Sequence, residues 1–327
     1  MQSRKVPSPG ATVALPREGA ATQGGLAAVL KGLLITARPK QWTKNFVIFL
    51  ALIFSINLYW TALDFGNLVR LLTDTVLAFV VFCVLSSGVY FINDLVDIEK
   101  DRQHPRKRQR PLASGALSPA YAAIAAVALP LVSIPVAFWL NWGFGLIAAA
   151  YFVLMLAYSF VLKHLVIIDV FSLAGGFVLR AVAGAIVIGV PISPWLYICT
   201  VLGALFLGFN KRRHELVLLE NGATNHRKTL EEYTPQLLDE MISVITPSTV
   251  IAYSLYTFSA ENLPKNHSMM LTIPFVLYGV FRYLYLVHTK NQGGSPEEVL
   301  IRDIPIILDI LLWLGSALAI LLIFRGQ

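Results

Sequence analysis

Charge and cysteine are both scarce in this sequence. Only 14% of its 327 residues are charged, against roughly a quarter in ordinary soluble domains, so a water-facing globular enzyme is excluded. The chain has 2 cysteines, Cys83 and Cys199, each inside an apolar run with no second Cys or His at ligand spacing. Neither a disulfide framework nor a zinc site is implied. A signal peptide is not expected either, because the basic start is not followed by a compact apolar segment and a small-residue cleavage site. The net charge of +7 does not point to nucleic acid. Its Lys and Arg residues are gathered in short loops between apolar runs, which is a mark of membrane topology.

What the sequence does have is apolar length: 56% of residues are hydrophobic and mean hydropathy is +0.67. Both values imply an all-α, polytopic membrane protein. Nine runs are long enough to be spans, at 46–63, 69–92, 121–140, 144–162, 166–190, 195–209, 241–258, 270–287 and 304–324. Residues 1–34 begin rich in Pro, Gly and Ala and are expected to be a disordered cytoplasmic tail; residues 35–327 are expected to form one transmembrane domain. Trp42 stands at interface depth before the first run, and Pro39 sits near a helix start. Nine spans place alternate loops on opposite sides. Residues 100–110, residues 211–228, Arg38, Lys40, Lys44, Lys163, Lys290 and Arg302 all fall on one side, so that side and the amino terminus are assigned to the cytoplasm.

The most informative stretch is 93–115, NDLVDIEKDRQHPRKRQRPLASG. On one helix Asp94, Asp97 and Asp101 fall at i, i+3 and i+7, within roughly 60° of one another. A solvated helix end followed by a basic loop would have a similar composition. Three like charges on one stripe repel, however, and hard cations between them, carrying phosphate oxygens on their free positions, make the arrangement favourable. Asn93, Asp94, Asp97 and Asp101 are therefore the expected Mg²⁺ site. Arg102, Arg106, Lys107, Arg108 and Arg110 would face the same anion.

A second polar group, Asn210-Lys-Arg-Arg-His-Glu215, is expected at another cytoplasmic helix end. Lys211 and Glu215 at i,i+4 read either as a surface ion pair or, with Arg212, as part of a diphosphate cradle. Lys163 lies in a very short cytoplasmic turn, which topology alone would explain, and His164 beside it carries no assigned role. Arg180 lies deep in its run, where an ionisable group is costly and faces the bundle interior. Its position on one face with Asp169 leaves two readings open, an ion pair with a third helix or a contact to an anionic substrate.

These residues resemble a known family. Asn93-Asp94-x-x-Asp97-x-x-x-Asp101, the nine runs and the second polar helix end look like the UbiA superfamily of intramembrane prenyltransferases, over roughly residues 35–325. Arg38-Pro-Lys-Gln-Trp42, His104-Pro-x-Lys107-x-x-Arg110-Pro and Lys211-Arg212-x-x-Glu215 look most like its branch that moves a phosphoribosyl group onto a polyprenyl phosphate. One departure supports that branch: prenyl-transferring members usually have a second Asp-rich motif where residues 210–215 offer a single acid. The resemblance implies Mg²⁺ as cofactor, phosphoribosyl pyrophosphate and a polyprenyl phosphate as substrates, and an active site at the cytoplasmic face of the inner membrane. It implies metal-binding or catalytic roles for Asp94, Asp97 and Asp101, and substrate contacts for Arg38, Lys40, Lys44, Asn93, Lys107, Arg110, Lys163, Arg180, Lys211, Arg212 and Glu215. Prenyl transfer from a diphosphate to an aromatic or other small acceptor is the alternative within the superfamily. A transporter using Arg180 and Asp309 is the alternative outside it, although no internal repeat favours it.

Overall fold

The computed structural model describes residues 25–57, 59–61, 63–104, 107–220, 230, 232–261, 263–290, 293–294 and 296–324. Arg106, Arg227 and Lys228 from the basic loops lie outside these, as do residues 1–24 of the expected tail.

The described residues form twelve α-helices: α1 (Leu26–Ala37), α2 (Phe49–Phe54), α3 (Phe65–Val96), α4 (Ile98–Gln103), α5 (Pro119–Leu140), α6 (Trp142–Phe160), α7 (Ile168–Val187), α8 (Pro194–Glu220), α9 (Pro235–Ser259), α10 (Ile273–Lys290), α11 (Pro296–Arg302) and α12 (Ile304–Ile323). No strand occurs among the described residues beyond one isolated bridge, Ile56 to Trp60. Side-chain caps set several helix starts: the oxygens of Asp64, Ser118, Asn141, Thr234 and Asp303 accept from backbone N–H groups that would otherwise lack a partner. Asn141 both ends α5 and caps α6, so these two helices turn on a single residue.

Among the described residues, 7 helical segments are long and apolar enough to cross a membrane: α3, α5, α6, α7, α9, α10 with the 3₁₀ turn before it, and α12. Their outward faces carry exposed Ile124, Val127, Leu131, Val153 and Phe281, as lipid contact requires. The other two expected spans take different forms. Residues 46–63 are not one helix: a 3₁₀ segment, Pro39–Ile48, leads into α2, which is only 6 residues long. The chain then folds back, and the Trp60 indole N–H donates to the Leu52 carbonyl at 3.1 Å and the Ser55 hydroxyl at 3.0 Å. Run 195–209 is the first part of α8, which is 27 residues long in all, so the 210–215 cluster sits on the body of a helix and not at its end.

The stretch read as tail also departs from expectation, since helix α1 begins at Leu26. Its sequence, LAAVLKGLLITA, contains good helix formers. Val29, Leu33 and Ala37 pack against a cluster of Phe91, Leu112, Leu117, Ala122 and Ala126, so the helix gains a tertiary partner.

The 3₁₀ segment lies against α3 and α7. Gly184 on α7 makes this possible, because a Cβ there would stand 2.1 Å from the Ile48 carbonyl oxygen. Gly184→Ala should cost about 1–3 kcal/mol through backbone displacement and lower the melting temperature in detergent. Gly203→Ala, with open space around its Cβ position, is the matched control and should not.

Candidate active site

Helix α3 ends at Val96, and Asp97 joins it to α4: the Asp97 N–H bonds the Asn93 carbonyl at 3.0 Å, and the Asp97 carbonyl accepts from the Asp101 N–H at 2.8 Å. The helical path is thus nearly continuous across the junction. Asp94 and Asp101 are 2% and 3% exposed, and in a bundle a carboxylate so buried requires a partner. One guanidinium serves both: Arg110 Nη1 lies 3.0 Å from Asp94 Oδ1 and 2.5 Å from Asp101 Oδ2. Arg110 is held by the turn that follows α4, where Leu112 and Leu117 are buried.

Arg38 also bonds Asp94. It caps α1 in a left-handed conformation, φ 53° and ψ 62°, and its guanidinium lies 4.9 Å over the Tyr90 ring. Asp97 faces a different cation. Lys163 Nζ reaches its two oxygens at 2.9 and 3.0 Å, and Lys163 is itself only 4% exposed. The structure thus brings Arg38, Asp94, Asp101 and Arg110 together and sets Asp97 with Lys163 apart from them. Asn93 is half-buried beside them.

Three cations balance the three acids. Among the described residues no group of three or more His, Cys, Asp or Glu is gathered closely enough to hold a metal ion. The donors are nonetheless oxygen ligands of the kind a hard divalent cation takes, and each now meets a guanidinium or ammonium group. The donor types fit Mg²⁺, but the expected single site of Asn93, Asp94, Asp97 and Asp101 is not formed among the described residues, because Asp94 and Asp101 close on Arg110 while Asp97 closes on Lys163.

Arg212 on α8 forms the second centre. Its Nε donates to Asp169 Oδ2 at 2.6 Å, Nη1 to Glu215 Oε2 at 2.5 Å, and Nη2 to the Tyr158 hydroxyl at 3.4 Å. The Tyr233 hydroxyl donates to Asp169 Oδ1 at 3.0 Å and accepts from the Ile167 N–H at 2.6 Å. Burial, and after it the adjacent Asp169 carboxylate, push the Tyr233 hydroxyl well above its ordinary value, so it remains a proton donor. Arg213 pairs instead with Asp239. The stretch from Tyr158 through Lys163 to Asp169 touches both centres.

Arg180 is resolved differently from either expectation. Asp169 is taken by Arg212, and no carboxylate bonds Arg180 among the described residues. Its nitrogens donate to the Asn45 side-chain oxygen at 2.6 Å, the Gly176 carbonyl at 2.9 Å and the Tyr151 hydroxyl at 2.8 Å. Asn45 in turn donates to Cys83 Sγ at 3.2 Å, and Cys83 lies about 16 Å along α3 from Asp94 at 1.5 Å per residue. Arg180 is thus an interior junction of α7, α6 and the 3₁₀ segment, away from the acids. Lys44 lies between Trp42, which donates to Ser87 at 3.1 Å, and Asn45, below the acids. Lys40 is exposed; Lys107 and Lys211 are half-buried. Sequence reasoning missed Tyr233, Tyr158 and Asn45, since none stands in a motif; only the tertiary fold gives them partners.

Residues 48–298 match the model of the UbiA prenyltransferase family. The chain is 31% identical over 313 residues to the decaprenyl-phosphate phosphoribosyltransferase of Mycolicibacterium smegmatis, covering 92% of this chain and 96% of the relative. It is 35% identical to the protein of the same name from Corynebacterium glutamicum, covering 83% and 81%. In fold it is similar to a UbiA homologue from Archaeoglobus fulgidus bound to GPP and Mg²⁺, with a TM-score of 0.66 and 19% identity, over 89% of this chain and 99% of the other.

Proposed function

The chain belongs to the UbiA prenyltransferase family, and on that premise we propose that it transfers a 5-phosphoribosyl group from phosphoribosyl pyrophosphate to a decaprenyl-type polyprenyl phosphate, releasing diphosphate, for a cell-envelope glycan precursor. The observation that carries this reading is the second centre. Where a prenyl-diphosphate enzyme would carry a second set of acids, Asp169 and Glu215 are both committed to Arg212, and Lys211 and Arg213 flank it. This region suits an anionic group on the donor and not a second metal cluster.

In the reaction the C1–O bond to diphosphate breaks, the electron pair leaves with the diphosphate, and a phosphate oxygen of the lipid forms the new bond at C1. Asp94, Asp97 and Asp101, with Asn93 beside them, would hold Mg²⁺, which supplies charge stabilisation on the leaving diphosphate. Arg38, Arg110 and Lys163 now balance those acids and would turn toward donor phosphate oxygens, as charge-assisted bonds favour. Lys211 on α8 would meet the 5-phosphate. A general base is not required, because a phosphate monoester is already anionic at neutral pH. Burial of the acids strengthens each of these interactions and places the reacting groups before reaction.

The charge bias of the loops supports an active site facing the cytoplasm, in the inner membrane. Phosphoribosyl pyrophosphate cannot cross a bilayer. Inverted vesicles supplied with it externally should therefore form the phosphoribosyl lipid, and sealed right-side-out vesicles should not. Product in right-side-out vesicles would reverse the orientation. Consumption of a prenyl diphosphate with a small acceptor, and no phosphoribosyl product, would favour the alternative enzyme.

A further inference from the structure

The turn between α6 and α7 contains a backbone conformation its sequence does not favour. Ile167 has φ 68° and ψ −49°, and the Ile168 N–H bonds the Val166 carbonyl at 2.7 Å. This is the γ-turn of positive φ, rare and strained, and a β-branched side chain is among the least suited to it. Such conformations persist only where the surroundings over-determine them. Here the outside contact is specific: the Ile167 N–H donates to the Tyr233 hydroxyl at 2.6 Å, and that hydroxyl donates onward to Asp169 at 3.0 Å. Tyr233 is 3% exposed and Asp169 is fully buried. Four residues before Ile167 in the same turn is Lys163, bonded to both oxygens of Asp97.

We propose that Tyr233 is a positioning residue that holds the strained 165–168 turn and thereby keeps Lys163 at the Asp97 carboxylate. The two centres are then coupled: Arg212 orients Asp169, Asp169 accepts a hydrogen bond from the Tyr233 hydroxyl, and the oxygen so oriented accepts from the Ile167 N–H. No other described group bonds the Ile167 N–H. Without the hydroxyl, the turn is free to relax to negative φ and carry Lys163 away from the acids. Tyr233 touches no reacting atom in this scheme, and its consequence for turnover rests on the phosphoribosyl-transfer reading.

The test uses Tyr233→Phe, which keeps the ring and removes only the hydroxyl, and Ile167→Gly, which removes the strain because glycine takes positive φ freely. Hydrogen exchange of the full-length protein in detergent should show the peptide spanning 162–169 losing protection by about tenfold in Tyr233→Phe, the scale of one lost bond. The KM for phosphoribosyl pyrophosphate should rise by about tenfold, with a smaller change in kcat. The double variant Tyr233→Phe/Ile167→Gly should recover most of the parent KM, since its turn no longer needs holding. A general loss of packing would not be rescued by glycine. Unchanged exchange in Tyr233→Phe, or a double variant no better than Tyr233→Phe, overturns the proposal. If the parent protein forms no phosphoribosyl lipid but the exchange changes as expected, the proposed reaction fails and the clamp stands.

Discussion

Asp94→Asn is expected to reduce phosphoribosyl transfer by on the order of a thousandfold, the scale of losing a pre-organised electrostatic group, while the protein stays folded in detergent. The carboxylate is 2% exposed and accepts from both Arg38 and Arg110. An asparagine oxygen still accepts a hydrogen bond there, Arg110 retains Asp101, and Arg38 retains the Tyr90 ring, so the fold loses charge balance without losing every contact. The donor's diphosphate loses more. It would meet two fixed guanidinium groups but only part of the acid set that would hold Mg²⁺. Chelation by EDTA should abolish turnover in the parent protein and Mg²⁺ should restore it. Activity within tenfold of the parent in Asp94→Asn would remove Asp94 from the chemistry.

The pairing of Asp94 with Asp101 was legible in the sequence because it is local: the two lie seven residues apart on one nearly continuous helical path and share Arg110; that Asp97, at the junction, turns to Lys163 instead was not. Arg110 was legible for the same reason, standing shortly beyond that path. The breakdown of run 46–63 into a 3₁₀ segment and a short helix was not. Hydropathy measures apolar length, whereas the form of that segment depends on Gly184 of α7 admitting the Ile48 carbonyl. Arg180 and Asp169 show the same limit. They share a helical face, yet Asp169 pairs with Arg212, 43 residues away, while Arg180 turns to Asn45, 135 residues away. Which acid meets which base is set by how α7 packs on α8 and on the 3₁₀ segment, and a one-helix pattern does not contain that information. Tyr233 was hidden for the same reason.

Arg212 is where the geometry bears on an expectation that came from its place in the 210–215 cluster and from the family resemblance. The resemblance implies that Arg212, like Lys211, contacts the substrate, but its side chain is 3% exposed and bonded to an Asp169 side chain that is 1% exposed. Removing one partner of such a pair leaves a buried charge uncompensated, at a cost of about 3–5 kcal/mol. Arg212→Gln should therefore lower the melting temperature in detergent by about 10 °C or more, at the few degrees per kcal/mol usual for chains of this size or somewhat smaller. Arg212→Gln/Asp169→Asn should recover part of that loss, because the second substitution neutralises the stranded carboxylate and leaves a side-chain oxygen that can still accept from Tyr233. The cycle should give a coupling of about 1–3 kcal/mol. Lys211→Gln should do the reverse, leaving the melting temperature nearly unchanged and raising the KM for phosphoribosyl pyrophosphate by about tenfold or more. These two variants separate support from recognition on adjacent residues of one helix. If Arg212→Gln instead raised the donor KM with no thermal shift, and the cycle showed no coupling, Arg212 would belong to the donor site and the buried pair would carry no structural weight.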